Sequence, residues 1–114
     1  MTDGTDPDIT SPKIEISYEN DHLHPGDTLV VSAHVTDAQS GTKKVTFGLY
    51  DIYSPDCFCK GEFSLSSGSI FDGLWSYKCL LPMDTPLSSY DGTAVAVDNR
   101  DNSGMDIKTV FIEY

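Results

Sequence analysis

The stretch that decides the fold is Thr28-Leu29-Val30-Val31-Ser32-Ala33-His34-Val35-Thr36. Leu29, Val31, Ala33 and Val35 alternate with Thr28, Val30, Ser32 and His34. A period of two sends alternate side chains to opposite faces of a strand, so the first set faces a core. Pro25-Gly26 immediately before it is a strong turn pair, and Ser40-Gly41 follows it. The next run, Lys43 to Asp51, repeats the pattern with Val45, Phe47 and Leu49 inward. Two such rows facing each other predict two sheets packed around one interior.

Outward from this pair, the same rhythm continues. Lys13 to Tyr18 is a strand with Ile14 and Ile16 on one face. Gly61 to Ser66 reads as a short strand, flanked by loops over Tyr53 to Lys60 and Ser67 to Gly73. Leu74 to Leu81 is a strand with Trp75, Tyr77, Cys79 and Leu81 on one face, ended by Pro82, which cannot donate to a ladder. Thr93 to Asp98 and Ile107 to Glu113 complete the set. No stretch holds a 3.6 period over a helical length. Seven short strands separated by polar turns predict an all-β Greek-key sandwich of the immunoglobulin-like class.

The chain has 114 residues, enough for one core and not for two. Met1 to Pro12, with Asp3, Asp6, Asp8, Pro7 and Pro12, reads as a linker or leading segment, and 13–114 as the domain. Met1-Thr2-Asp3-Gly4 is polar and acidic where a secretory leader is basic and then apolar, so the expectation is a module excised from a larger protein. Eighteen acidic and seven basic residues give a net charge of −11. That argues against nucleic acid as a partner, because phosphate needs Lys and Arg, and it disfavours anionic membranes. No apolar run approaches a membrane span, so no membrane insertion is expected.

Several segments resemble the immunoglobulin-like modules of extracellular bacterial and archaeal surface proteins and glycoside hydrolases. They are Pro25-Gly26-Asp27-Thr28, Val35-Thr36-Asp37, Ser40-Gly41 with Val45, Asp72-Gly73-Leu74-Trp75-Ser76, Leu81-Pro82, and Tyr90-Asp91-Gly92-Thr93 with Ala96-Val97-Asp98-Asn99. The resemblance covers about residues 13–114. It implies a secreted or cell-surface module that is not an enzyme and serves as a spacer, an adhesive repeat or an accessory domain. Its partners would be neighbouring domains of the same chain, a glycan or a surface protein. The C-x-C loop and the long stretch Ile52 to Gly73 depart from that pattern. An antibody-type domain is disfavoured, since no Cys lies in Thr28 to Thr36 or Thr93 to Asp98.

Chemistry can be placed by pole. At one end gather Asp6 and Asp8 of the lead-in, Asp37, and Asp98, Asn99 and Asp101. Calcium takes six to eight oxygens, which carboxylates and amides supply, so these residues are the candidate Ca²⁺ site. Arg100 stands where an EF-hand has a ligand. The competing reading is that Asp, Asn and Gly simply build a turn. At the other end, His22-Leu23-His24 and Cys57-Phe58-Cys59 offer two imidazoles and two thiols, but in no recognised zinc spacing; a surface turn is the preferred reading. Cys57, Cys59 and Cys79 are an odd number, and C-x-C neighbours rarely bridge. In an oxidising compartment Cys79 pairs with Cys57 or Cys59, and Cys59–Cys79 is the expected bridge.

No serine sits in a G-x-S-x-G elbow, and His34 reads as a solvated sheet residue. Tyr18, Tyr50, Tyr53, Phe58, Phe71, Tyr90 and Tyr114 include several that alternation sends outward or into loops, while Trp75 reads as a core plug. Exposed rings suit sugars, so the alternative function is a carbohydrate-binding accessory module of a secreted hydrolase, with Tyr50 and Tyr53 as ligand-binding residues. A third reading is strand addition at the last strand, near Ile112 and Tyr114.

Overall fold

The computed structural model describes residues 11–37, 39–51 and 57–114, with the side chains of Cys57 and Phe58 left aside. The described residues are all-β. In chain order the strands are β1 (Lys13–Tyr18), β2 (His22–Leu23), β3 (Thr28–Thr36), β4 (Thr42–Asp51), β5 (Cys57–Glu62), β6 (Ser64–Gly68), β7 (Asp72–Leu80), β8 (Ser88–Asp98) and β9 (Ser103–Ile112). One sheet has the order β1-β3-β7-β6 and the other β2-β9-β8-β4-β5. This is the immunoglobulin-like pairing of an A-B-E-D sheet against a C-F-G sheet, with β2 and β5 added at the two edges of the second.

The alternation behind the expected fold is realised. Leu29, Val31, Ala33 and Val35 are fully buried, and Val45, Phe47 and Leu49 meet them from the other sheet with at most 3% exposure. Each buried Leu, Val or Phe contributes about 1.5–3 kcal/mol. Phe47 sits at the centre of an aromatic cluster, with ring centroids 6.0 Å from Phe63, 5.7 Å from Tyr77 and 6.4 Å from Tyr18. Trp75 is 7% exposed and belongs to the same core, as its position in the inward row of β7 requires.

Three expectations are corrected. The single strand expected at Gly61 to Ser66 is two strands in different sheets: β5 ends at Glu62, Phe63 is buried, and β6 begins at Ser64. Phe63 N–H donates to Val45 C=O at 2.8 Å, and its ring inserts into the core as the chain changes sheet. Part of the loop expected at Tyr53 to Lys60 is strand, because Cys57–Glu62 pair with β4 through a bulge; residues 52–56 lie outside the described residues. The strand expected at Thr93 starts earlier, at Ser88, and the last strand starts at Ser103 instead of Ile107.

Tyr90 is the residue that anchors this longer β8. It precedes the strand expected at Thr93, yet it is fully buried, and its hydroxyl donates to Pro86 C=O at 2.6 Å. A tyrosine at the start of this strand, bonded back to the backbone a few residues upstream, is the corner device of Greek-key sandwiches.

Two edges are closed in ways the sequence did not announce. β2 adds a two-residue parallel pairing, His22 with Phe111 and Leu23 with Ile112. Beyond it, β1 of the opposite sheet runs beside β9: Ile16 N–H donates to Asp106 Oδ2 at 2.9 Å, and Tyr18 Oη donates to Lys108 C=O at 2.7 Å. Pro12, placed by sequence in the leading segment, is buried, and its backbone closes on Gly104 of β9. Residues 1–10 of that segment, including Asp6 and Asp8, lie outside the described residues.

Candidate functional site

At one pole the β3–β4 and β8–β9 turns meet. Asp98 ends β8 with its side chain fully buried. Its Oδ1 accepts from Arg100 N–H at 2.8 Å and Asn102 N–H at 2.9 Å, and its Oδ2 from Asn102 Nδ2 at 3.2 Å. Burial pushes the carboxyl pKa up. The hydrogen bonds from Asn102 and Arg100, then from the Asp37 side chain, outweigh it and hold the value down at about 2. Asp37 Oδ1 accepts from Gln39 N–H at 3.2 Å and Ser40 N–H at 3.1 Å.

The remaining members of the expected calcium set face other partners. Asn99 donates its amide to Ser40 C=O at 3.0 Å and Gly41 C=O at 3.1 Å, stitching the two turns together. Asp101, with φ of 66° in the left-handed region that short polar side chains tolerate, lies 3.3 Å from Lys43 Nζ. Thus the structure brings Asp37, Asp98 and Asn99 together, but as acceptors and donors for the turns themselves. A cation there would have to displace N–H donors already in place. Among the described residues, no three His, Cys, Asp or Glu side chains are grouped so as to hold a metal.

At the opposite pole, Cys59 is joined to Cys79, bridging β5 to β7. Cys59 is therefore not available as a zinc ligand. His22 and His24 both turn to the end of β9: His22 Nδ1 lies 2.8 Å from Glu113 Oε1, and His24 Nδ1 lies 2.7 Å from Glu113 C=O. The His22 ring stacks on Phe111 at 4.9 Å. These histidines lock the last strand. The same pairing uses the terminal stretch of β9 that strand addition would need, and Ile112 is buried. A cleft of about 560 Å³ opens here, lined by His24, Pro25, Met83, Thr85, Leu87 and Tyr114. Sequence reasoning passed over it, because Pro82 to Leu87 carries no periodic signal. His34, on the outer face of β3, is exposed and has Nε2 2.7 Å from Asp72 Oδ1.

Tyr50 lies at a different place, on the outer face of the β2-β9-β8-β4-β5 sheet, 42% exposed. Gly48, two residues earlier on the same face, has no side chain, and the ring covers it. A β-carbon at Gly48 would meet Tyr50 Cε2 at 2.9 Å, Cζ at 3.0 Å and Oη at 3.0 Å. The phenol is therefore laid along the strand instead of standing away from it. Tyr53, its expected companion, lies outside the described residues.

No protein-family model and no curated protein matches the sequence closely enough to show a family. Solved structures do match the fold. A sporulation control protein from Bacillus subtilis superposes with a TM-score of 0.65 at 15% identity, over 93% of this chain and 51% of that one. A Niemann-Pick type C2 protein from Japanese carpenter ant gives 0.57 at 17% identity, over 89% of each chain. The CARDB domain of a Pyrococcus furiosus protein, solved in complex with di-metal ions, gives 0.52 at 12% identity, over 99% of this chain and 98% of that one. The chain thus spans about half of the Bacillus protein and nearly all of the other two. At these identities the likeness is one of fold, an immunoglobulin-like β-sandwich.

Proposed function

We propose that this chain is a non-catalytic immunoglobulin-like module that acts as a spacer and adhesion unit in a larger secreted or surface protein. The observation that carries the reading is the placement of the two ends of the sandwich. Lys13 pairs with Thr36 beside the Asp37 turn, whereas Ile112 pairs with Leu23 beside the histidine turn at the far pole. Neighbouring domains joined at those ends extend away from each other. The Cys59–Cys79 bridge supports an oxidising compartment, where such bonds persist. The polar interactions at both poles, Asp98 with Arg100 and Asn102 and the histidines with Glu113, hold backbone in place. A non-catalytic module asks no more of them.

Small-angle scattering on two copies joined end to end tests this. The expected maximum dimension is about double that of one copy, as for stiff repeats touching only their neighbours. A folded-back pair with side-by-side sandwiches would overturn the spacer role.

A further inference from the structure

The outer face of the β2-β9-β8-β4-β5 sheet has a composition that the spacer role does not require. Gly48 pairs with Thr93 and Thr93 with Ile107, so the Tyr50 ring, a threonine and an exposed isoleucine form one line across three strands. Two strand spacings make that line about 10 Å long. The next pair along β8 and β9, Val95 with Met105, continues the apolar strip, and Met105 is 60% exposed. On the other side Asp91 pairs directly with Tyr50 and with Thr109, whose Oγ1 lies 3.4 Å from Asp91 Oδ1.

We propose that this face binds a neutral polysaccharide, with Tyr50 as the stacking platform and Asp91 and Thr93 as hydroxyl partners. The aromatic face carries negative π density, and the C–H groups on one side of a hexose ring are weakly positive, so the two attract when laid flat. The glycine beneath Tyr50 lets the phenol lie down along β4. A carboxylate and a threonine hydroxyl beside an apolar platform match the composition of small-ligand sites, in which a few polar groups orient a mostly apolar contact. Charge selects the class of glycan. The chain carries −11 overall and Asp91 stands in the face itself, so uronic or sulfated polymers are repelled and neutral ones are not. The inference is independent of the spacer reading, because it concerns one sheet face and not the placement of the ends.

The test is retention of the intact chain on insoluble cellulose, chitin and xylan, with soluble alginate as the anionic probe in affinity electrophoresis. The wild type is expected to be retained on at least one neutral polymer and not retarded by alginate. Tyr50→Ala should weaken retention about tenfold or more, as truncating a central aromatic anchor does. Tyr50→Phe, which keeps the ring, should stay within about twofold of the wild type. Tyr114→Ala, an exposed tyrosine at a pole, should change nothing, and thermal melting of each variant separates lost binding from lost fold. The proposal is overturned if the wild type is retained on none of the three neutral polymers. It is equally overturned if Tyr50→Ala binds as well as the wild type, or if alginate binds more strongly. A concentration-dependent dimer in sedimentation that Tyr50→Ala abolishes would overturn it in favour of a second copy of the chain as the occupant.

Discussion

Tyr18 Oη donates to Lys108 C=O at 2.7 Å, joining β1, the edge strand of one sheet, to β9 of the other. Together with Ile16 N–H on Asp106, it occupies backbone and side-chain groups that would otherwise leave β9 open to pairing with another chain. Replacing Tyr18 by Phe removes the bond and keeps the ring against Phe47. The expected cost near neutral pH is about 1 kcal/mol in urea unfolding.

The same phenol gives an alkaline signature. Burial pushes its pKa well above the ordinary 10.0, and the Asp106, Asp91 and Asp21 carboxylates push it further. A proton held more tightly in the folded state adds stability that is fully present below the unfolded value and is lost as pH rises above it. The stability gap between wild type and Tyr18→Phe should therefore narrow above about pH 10. A gap independent of pH would show that the phenol is not held as described.

Gly92 lies beneath that contact. A β-carbon there would run into the Tyr18 hydroxyl and approach Phe47 Cζ at 2.9 Å. Gly92→Ala should destabilise by about 1–3 kcal/mol, the usual cost of overfilling a packed interior. In a Tyr18→Phe background the penalty should shrink, because the hydroxyl is gone; a double-mutant cycle measures the difference.

Removing the Cys59–Cys79 bridge with paired alanines should cost about 3 kcal/mol, the loop-closure term for a sequence separation of 20. Reductant should lower the stability of the wild type and leave the double variant unchanged.

On the acid side Asp98 is the residue to follow. Its folded pKa of about 2 lies below the ordinary 3.8, so its contribution is present above about pH 4 and is lost as pH falls towards 2. Asp98→Asn should be less stable than the wild type at neutral pH and should lose less stability on acidification. Parallel acid limbs for the two proteins would contradict the assignment.

Calcium distinguishes the turn from a metal site. Because Asp98 and Asn99 are already engaged with backbone groups, excess calcium and excess chelator should give the same melting temperature. A rise of several degrees with calcium would show that the ion displaces those donors.

The legible part of this protein was its buried alternation. Thr28–Thr36 and Thr42–Asp51 each carry one face of apolar residues, and a one-residue slip would expose them all, so pattern and register agree. Gly61 to Ser66 was not legible, because a chain changing sheets at Phe63 has no single inward face for a period of two to report. The burial of Tyr90 was not legible for a different reason: it precedes the strand expected at Thr93, and its partner is the backbone carbonyl of Pro86, which no side-chain pattern encodes. At the acidic pole the residues brought together were readable, but their engagement was not. Asn99 looks the same in sequence whether its oxygen faces an ion or its amide nitrogen faces Ser40 and Gly41. Tyr50 was legible as an exposed ring, while its posture depended on Gly48, whose missing side chain is a signal only once the strand is drawn.

The cystine between β5 and β7 also governs how this molecule responds to tension. Pulled from its ends, the chain can unravel only outside the bridge. Roughly 70 Å of contour between the two half-cystines, 20 residues apart, stays out of reach, at about 3.3–3.6 Å per extended residue. A tether built from such units would yield in shorter steps than its residue count suggests, and it would lengthen further once exposed to a reductant.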